Sequence, residues 1–229
     1  MNLHLNDTLA VTVFLAAWLG YNIVVDRHAR AGRGLTGAMN AERRRWMQAM
    51  LKRDLRMIDT AIMAGLQQGT AFFASACIFA IGGCFALLGS AEEISAIAAD
   101  LPFSGELDRA LVELKLFGLI AIFCHAFFKF GWSYRLFNYC SILIGAVPMR
   151  EDAAADMPAA GAAIERAAGL NQIAGRHFNA GLRSIFFAVA YLGWLLGPLA
   201  LVASTVIVVT ILAHRQFHSR ALKVIVQAQ

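Results

Sequence analysis

Residues 26–59 read DRHARAGRGLTGAMNAERRRWMQAMLKRDLRMID, and residues 92–113 read EEISAIAADLPFSGELDRALVE. The first stretch carries nine Lys or Arg against four acids, the second six acids against one Arg. Each is flanked by segments long and apolar enough to cross a bilayer. Lys and Arg collect in loops that stay on the cytoplasmic side, so this contrast marks an integral membrane protein. It places the first loop inside, the second outside, and the N-terminus outside.

Outward from these loops, residues 8–25 form an uncharged run of 18, residues 60–91 one of 32, and residues 184–213 one of 30. Residues 116–148 add 33 more with only Lys129 and Arg135 charged. A run of ~18 such residues suffices for a membrane helix. The chain is 59% apolar, against ~45–50% in soluble domains. The net charge of +5 does not indicate nucleic-acid binding, because nine of the 20 basic residues sit in one loop beside two spans. Anionic headgroups attract Lys and Arg there, so membrane lipids are the expected partner and nucleic acid is not. Cys77, Cys84, Cys124 and Cys140 lie in apolar stretches without a CxxC pair, which argues against a metal site or disulfide framework. No Lys or Arg precedes the first span and no small-residue cleavage site follows it, so that helix is expected to remain as an anchor.

The expected architecture is all-α: one domain over 1–229, a four-helix bundle with spans near 7–26, 66–90, 114–134 and 184–212. Helices 2, 3 and 4 are expected to extend into a small cytoplasmic helical subdomain through 41–62, 135–147 and 158–183. Gly32, Gly34 and Gly37 should break the chain after the first span, with a new helix from near Asn40. Apolar residues at Met47, Leu51, Leu55, Ile58 and Ile62 follow helical spacing. No Gly or Pro occurs between 42 and 64, so this helix is expected to run unbroken into the second span. Pro102 and Gly105 predict a turn in the acidic loop. About 20 residues cross the hydrocarbon, so the third helix should leave it near Tyr134. Residues 136–147 are still apolar and need cover, for which the Met47–Ile62 stripe is the candidate. Pro148 should end that helix, and Asp156 with Pro158 should start the next.

Pro198 predicts a kink near Gly197. A single kinked crossing leaves the tail outside with Arg215, Arg220 and Lys223, against the charge rule. A re-entrant hairpin about Gly197-Pro198 is the alternative.

The candidate chemistry lies at the inner boundary. Asp59 precedes the second span, Arg135 and Asn138 leave the third, and His177, Asn179 and Arg183 lead into the fourth. If three helices converge, an acid and two guanidinium groups meet in a partly dehydrated layer. That cluster is either a structural ion-pair network or a site for an anion or lipid headgroup, to which Arg is geometrically suited. His125 and Lys129 are the ionisable residues inside the third span. A membrane haem needs a second histidine at matching depth, which His4, His28, His177, His214 and His218 do not offer. His125 is therefore read as a hydrogen-bonded interior residue, with a proton relay as the functional alternative. Gly65–Gly69 and Gly193–Gly197 are GxxxG spacings suited to close helix packing. No GxGxxG, Walker loop, HExxH or Ser-His-Asp arrangement occurs, so neither an enzyme nor a cofactor is indicated.

Four stretches carry a family resemblance: Arg45-Trp46-Met47; residues 71–83, beginning Ala-Phe-Phe-Ala-Ser; residues 127–148, beginning Phe-Phe-Lys-Phe-Gly-Trp-Ser-Tyr-Arg; and residues 177–194, beginning His-Phe-Asn-Ala-Gly-Leu-Arg. Together they resemble the bacterial and plant membrane family catalogued as domain of unknown function 599, over nearly the whole chain. The resemblance implies a multi-pass membrane protein and no activity, cofactor or catalytic residue. The functional expectation is an oligomeric channel or carrier in the inner membrane for a small solute, with an anion as the candidate class. The alternative is a non-catalytic accessory or scaffold subunit that binds lipid or a partner membrane protein.

The charge contrast generates a direct test of orientation. A cysteine placed beside Arg33 is expected to react with an impermeant thiol reagent only from the cytoplasmic side, and one beside Gly105 only from outside. The reverse labelling pattern contradicts the assignment.

Overall fold

The computed structural model describes residues 5–90, 92–93 and 109–227. The expected Pro102–Gly105 turn lies outside the described residues. The elements are α1 (Leu5–Arg30), α2 (Gly34–Met50), α3 (Met57–Gly89), α4 (Arg109–Gly145), α5 (Arg150–Ala155), α6 (Met157–Leu196), α7 (Pro198–Phe217) and α8 (Arg220–Gln227). No strand occurs among the described residues. Five helical stretches are long and apolar enough to cross a membrane, one more than the four-span expectation, and the chain is a membrane protein with an all-α fold.

The additional helix arises at Gly197. Its φ of 132° is a conformation that residues with a Cβ rarely adopt, and Pro198 cannot continue the preceding hydrogen-bond ladder. The expected single helix over 184–212 is therefore two, folded back to back. Ser204 Oγ donates to Ala190 O at 2.6 Å. A Cβ on Gly193 would lie 2.5 Å from Ser204 Oγ and 2.8 Å from Ala200 O, so the second GxxxG spacing serves this hairpin. Among the described residues the first packs against nothing, since none of them lies within 4 Å of a Cβ at Gly65 or Gly69. The return of α7 brings Phe217 against His28, with ring centroids 5.2 Å apart. Thr36 Oγ1 donates to Gln216 Oε1 at 3.1 Å. The tail thus lies at the same end of the bundle as the basic 26–59 stretch, called the basic end below. That overturns the placement of the tail opposite this loop and removes its conflict with the charge rule.

α6 is the mast of the fold. At 40 residues it is ~60 Å long at 1.5 Å per residue, twice the ~30 Å of a hydrocarbon core. Asp156 caps its start by accepting from Ala159 N–H at 3.0 Å, with Pro158 in the first turn, as expected. Its last turn is finished from α4, where Lys115 Nζ donates to Trp194 O at 2.7 Å. α4 runs antiparallel to α6 and α3 antiparallel to α4. One core lies toward the Trp194 end, where Phe14, Phe187, Tyr191 and Trp194 interlock. A second lies at the basic end and contains Met47, Met50, Met63, Phe137, Cys140, Ile144 and Ile164.

The second core differs from expectation in how α2 and α3 reach it. Residues 41–62 are not one helix projecting from the membrane. α2 begins at Gly34, ends at Met50, and the chain turns before α3 starts at Met57. The turn is held by charged side chains. Arg56 Nη1 donates to Ile144 O at 3.2 Å and Val147 O at 2.6 Å, and Nη2 to Pro148 O at 2.5 Å, satisfying one carbonyl in the last turn of α4 and two just past its end. Met47 and Met50 then cover Phe137, Cys140 and Ile144, as the apolar 136–147 segment requires, whereas Leu55, Ile58 and Ile62 stay exposed. Pro148 follows the end of α4, and part of the expected linker forms α5.

The hairpin makes a prediction that does not depend on absolute orientation. A cysteine replacing Ser219 is expected to be labelled from the same side of the membrane as one replacing Arg33. Labelling from opposite sides means that α6 and α7 are one crossing.

Candidate anion-binding site

The sequence-predicted cluster does not assemble. Asp59 is fully buried, but its Oδ1 accepts from Trp46 Nε1 at 2.7 Å and Arg53 Nη1 at 2.5 Å. It meets neither Arg135 nor Arg183. Asp59 sits in the first turn of α3, beside the far end of α4 and well past the level of Arg135. Arg135 is exposed, stacked 5.9 Å from the Trp132 ring and 5.4 Å from the Tyr139 ring of its own helix. Its Nε donates to Tyr139 Oη at 2.6 Å. Positions 132, 135 and 139 share one helix face, the geometry of an interfacial belt. Asn138 Oδ1 accepts from Gln67 Nε2 at 2.7 Å, a clamp between α3 and α4. His177 lies edge-on to Trp132 with centroids 6.5 Å apart.

The ionisable residues of α4, His125 and Lys129, lie one turn apart, and His125 is exposed instead of facing the bundle interior as expected. His125 Nδ1 and Ser184 Oγ are 3.0 Å apart, and its ring lies edge-on to Trp18. Lys129 is half-buried and forms no ion pair among the described residues.

Arg183 and Asn179 lead to a different site. Arg183 is 7% exposed, within the apolar half of α6. Its Nε donates to Asn22 Oδ1 at 2.6 Å and its Nη2 to Asp26 Oδ1 at 3.1 Å. These use two of the five N–H donors of a guanidinium. The same residue lines a cavity of about 210 Å³ at the basic end, enclosed by α1, α2, α6 and α7. Arg43, Arg215, Asn179, Tyr21 and Gln216 line it too, and its apolar wall is Val25, Leu182, Phe186 and Leu212.

Three arginines thus line one small space. Arg43 reaches across to α6 where Gly175 leaves room, since a Cβ there would lie 2.2 Å from Arg43 Nη1. Burial pushes the Arg43 guanidinium below its ordinary pKa, and its Nη1 donates to Asn40 Oδ1 at 3.3 Å. Arg215 lies over the Phe186 ring at 5.5 Å. Neither Arg43 nor Arg215 forms an ion pair among the described residues.

Two further features favour negative charge. The Nε2 of Gln216 is buried and has no acceptor, which costs about 1–3 kcal/mol unless something supplies one. α2 also starts without a side-chain cap, and Leu35 and Thr36 of its first turn line the cavity. The positive end of the helix is therefore beside it.

Arg43, Arg215, Gln216 and Tyr21 escaped the sequence reading. Arg43 had a signal, because it lies four residues before Met47 and seven before Met50, on the face those methionines bury. Arg215 had none while the tail was placed at the opposite end. Among the described residues no cluster of His, Cys, Asp and Glu could hold a metal ion.

A helical membrane protein with a basic pocket at one end of its bundle is the class these observations define. Comparison with protein families finds a match over residues 9–221 to the family described as "Protein of unknown function, DUF599". The chain belongs to that family. Neither the curated proteins nor the solved structures contain a match.

The Asp59 arrangement yields a stability test. Arg53→Ala leaves a buried carboxylate held by Trp46 alone, and Asp59→Asn leaves Arg53 without its acid. Each change is expected to lower the melting temperature in detergent. The double variant should recover part of the loss, with a coupling of about 1 kcal/mol or more. Simple additivity contradicts a structural ion pair.

Proposed function

We propose that this protein is a carrier for a small anion, which it takes up at the basic end between α1, α2, α6 and α7. The observation that carries the reading is the convergence of Arg43, Arg183 and Arg215 on a cavity of about 210 Å³ with one buried, unsatisfied amide N–H. That volume is below the ~300–1,000 Å³ of sites for drug-sized ligands, which favours an inorganic anion or a short carboxylate. Guanidinium groups bind such oxyanions in bidentate fashion. An intramembrane charge facing a cavity is the usual mark of a solute pathway.

In the proposed orientation the chain lies in the inner membrane with the N-terminus outside. The basic 26–59 loop, the loop between α4 and α6 and the C-terminal tail are then cytoplasmic. The core around Met47, Phe137 and Ile164 becomes a cytoplasmic subdomain. The pocket opens inward and ends against the aromatic core of Phe14, Phe187 and Tyr191, while Asp7, Lys115 and Trp194 form a second polar cluster near the outer surface. Transport requires that aromatic layer to part. Anionic lipids surround the basic end, and the open Gly65–Gly69 face of α3 is where a second copy of the chain would pack most closely.

One observation favours the accessory reading. Within the single chain the aromatic core separates the pocket from the Trp194 end, so the same site can serve to hold a headgroup without moving it.

The experiment measures binding and passage together. Purified protein is melted with sulfate, phosphate, chloride or succinate, and proteoliposomes are assayed for counterflow of whichever anion stabilises it. At least one anion is expected to raise the melting temperature and to exchange across the vesicle. Arg215→Gln, an exposed position, should abolish both effects without lowering melting in the absence of anion. Binding without exchange selects the accessory reading. The absence of any stabilising anion contradicts the site.

A further inference from the structure

α2 separates two basic spaces, and only one belongs to the pocket above. On its other side a cleft of about 610 Å³ is lined by Arg30, Arg44, Arg45 and Arg176, with no acid in the lining. Arg44 and Arg45 each have an exposed carboxylate partner, Glu165 at 2.6 Å and Glu42 at 2.7 Å. Arg30 and Arg176 form no ion pair among the described residues.

The cleft is shaped by backbone. A Cβ on Gly37 would lie 2.4 Å from the carbonyl carbon of Gly32, so the start of α2 presses directly on the α1–α2 turn, and both glycines line the space. Amide side chains occupy the wall, where Gln172 Nε2 donates to Asn40 O at 3.0 Å. The position is as telling as the composition. Ile23 and Val24 are the last large apolar residues exposed on α1, and Arg30 follows within two turns. The cleft therefore begins where the apolar exterior of the bundle gives way to charge, the depth at which lipid phosphates lie.

We propose that this cleft binds a phosphate ester, as presented by the headgroup of an anionic phospholipid. Arg30 and Arg176 are the anchoring charges, and the amides of Gln48 and Gln172 take the polar groups beyond the phosphate. Arg44 and Arg45 swing from their exposed carboxylates when the phosphate arrives. Such exposed pairs are worth only ~0–1 kcal/mol and are readily exchanged. The site is independent of the carrier reading, since it uses the opposite face of α2.

The test melts the purified protein in an uncharged detergent with three probes: dihexanoyl phosphatidylglycerol, dihexanoyl phosphatidylcholine and inorganic phosphate. Phosphatidylglycerol is expected to stabilise the wild type, and phosphatidylcholine is not. In the Arg30→Gln/Arg176→Gln variant the concentration needed for half the shift should rise at least tenfold. Arg215→Gln, which alters only the pocket, should leave it unchanged. Inorganic phosphate producing the same shift, with the same loss in the double variant, assigns the cleft to free phosphate instead of lipid. Equal shifts in wild type and double variant, or a shift lost in Arg215→Gln instead, overturn the proposal. If the double variant melts early without ligand, Arg30→Gln alone is expected to show at least a threefold loss, and no loss overturns it.

Discussion

A guanidinium buried between packed helices must be given partners by the protein, because neither water nor lipid supplies them there. Arg183 is in that position, and α1 supplies the partners as Asn22 and Asp26, one turn apart. Those bonds fix the rotation of α1 on α6. With α1 so turned, Phe14 and Trp18 face Phe187 and Tyr191, and Trp194 Nε1 meets Asp7 Oδ1 at 2.6 Å at the other end. The side of α1 away from α4 is left for α7, whose return places Arg215 and Gln216 near Arg183. The pocket exists because an expensive charge had to be housed.

Different physics holds the two halves of the molecule. Around the spans there is no hydrophobic drive to bring helices together, since the surrounding tails are as apolar as leucine. Close approach at small residues does the work there: a Cβ at Gly118 would lie 1.9 Å from Tyr191 Oη, and one at Gly181 would lie 2.7 Å from Phe130 Cζ. At the basic end Met47, Met50, Phe137, Ile144 and Ile164 pack into a second core, which in the proposed orientation lies beyond the hydrocarbon and is held as a soluble core is. Truncating one of these, such as Ile144, costs ~2–5 kcal/mol on general grounds.

How far the sequence could be read follows the same division. Apolar run length and loop charge are collective signals, so the all-α class and the membrane assignment were legible, whereas the expected burial of 136–147 holds for one face only, with Tyr139 and Ile142 exposed. Helix ends made by specific side chains were not. The turn before α3 contains no Gly or Pro and is closed by Arg53, Arg56 and Asp59, which in one dimension read as ordinary loop charges. Gly197-Pro198 was visible as a break, but whether a break becomes a kink or a hairpin depends on whether the second segment finds a partner. α7 finds one in α6 through Gly193, Ser204 and Ala200. Misplacing the tail then hid Arg215, and half of the site with it.

The central claim is that Arg43, Arg183 and Arg215 converge on an anion. Crystals grown in lipidic phase and soaked in selenate, an oxyanion of sulfate shape with a strong anomalous signal, test it directly. An anomalous peak between the three guanidinium groups and Gln216 Nε2, absent in Arg215→Gln crystals, is the expected result. Selenium peaks confined to other surfaces, with the pocket empty at saturating selenate, would contradict the account.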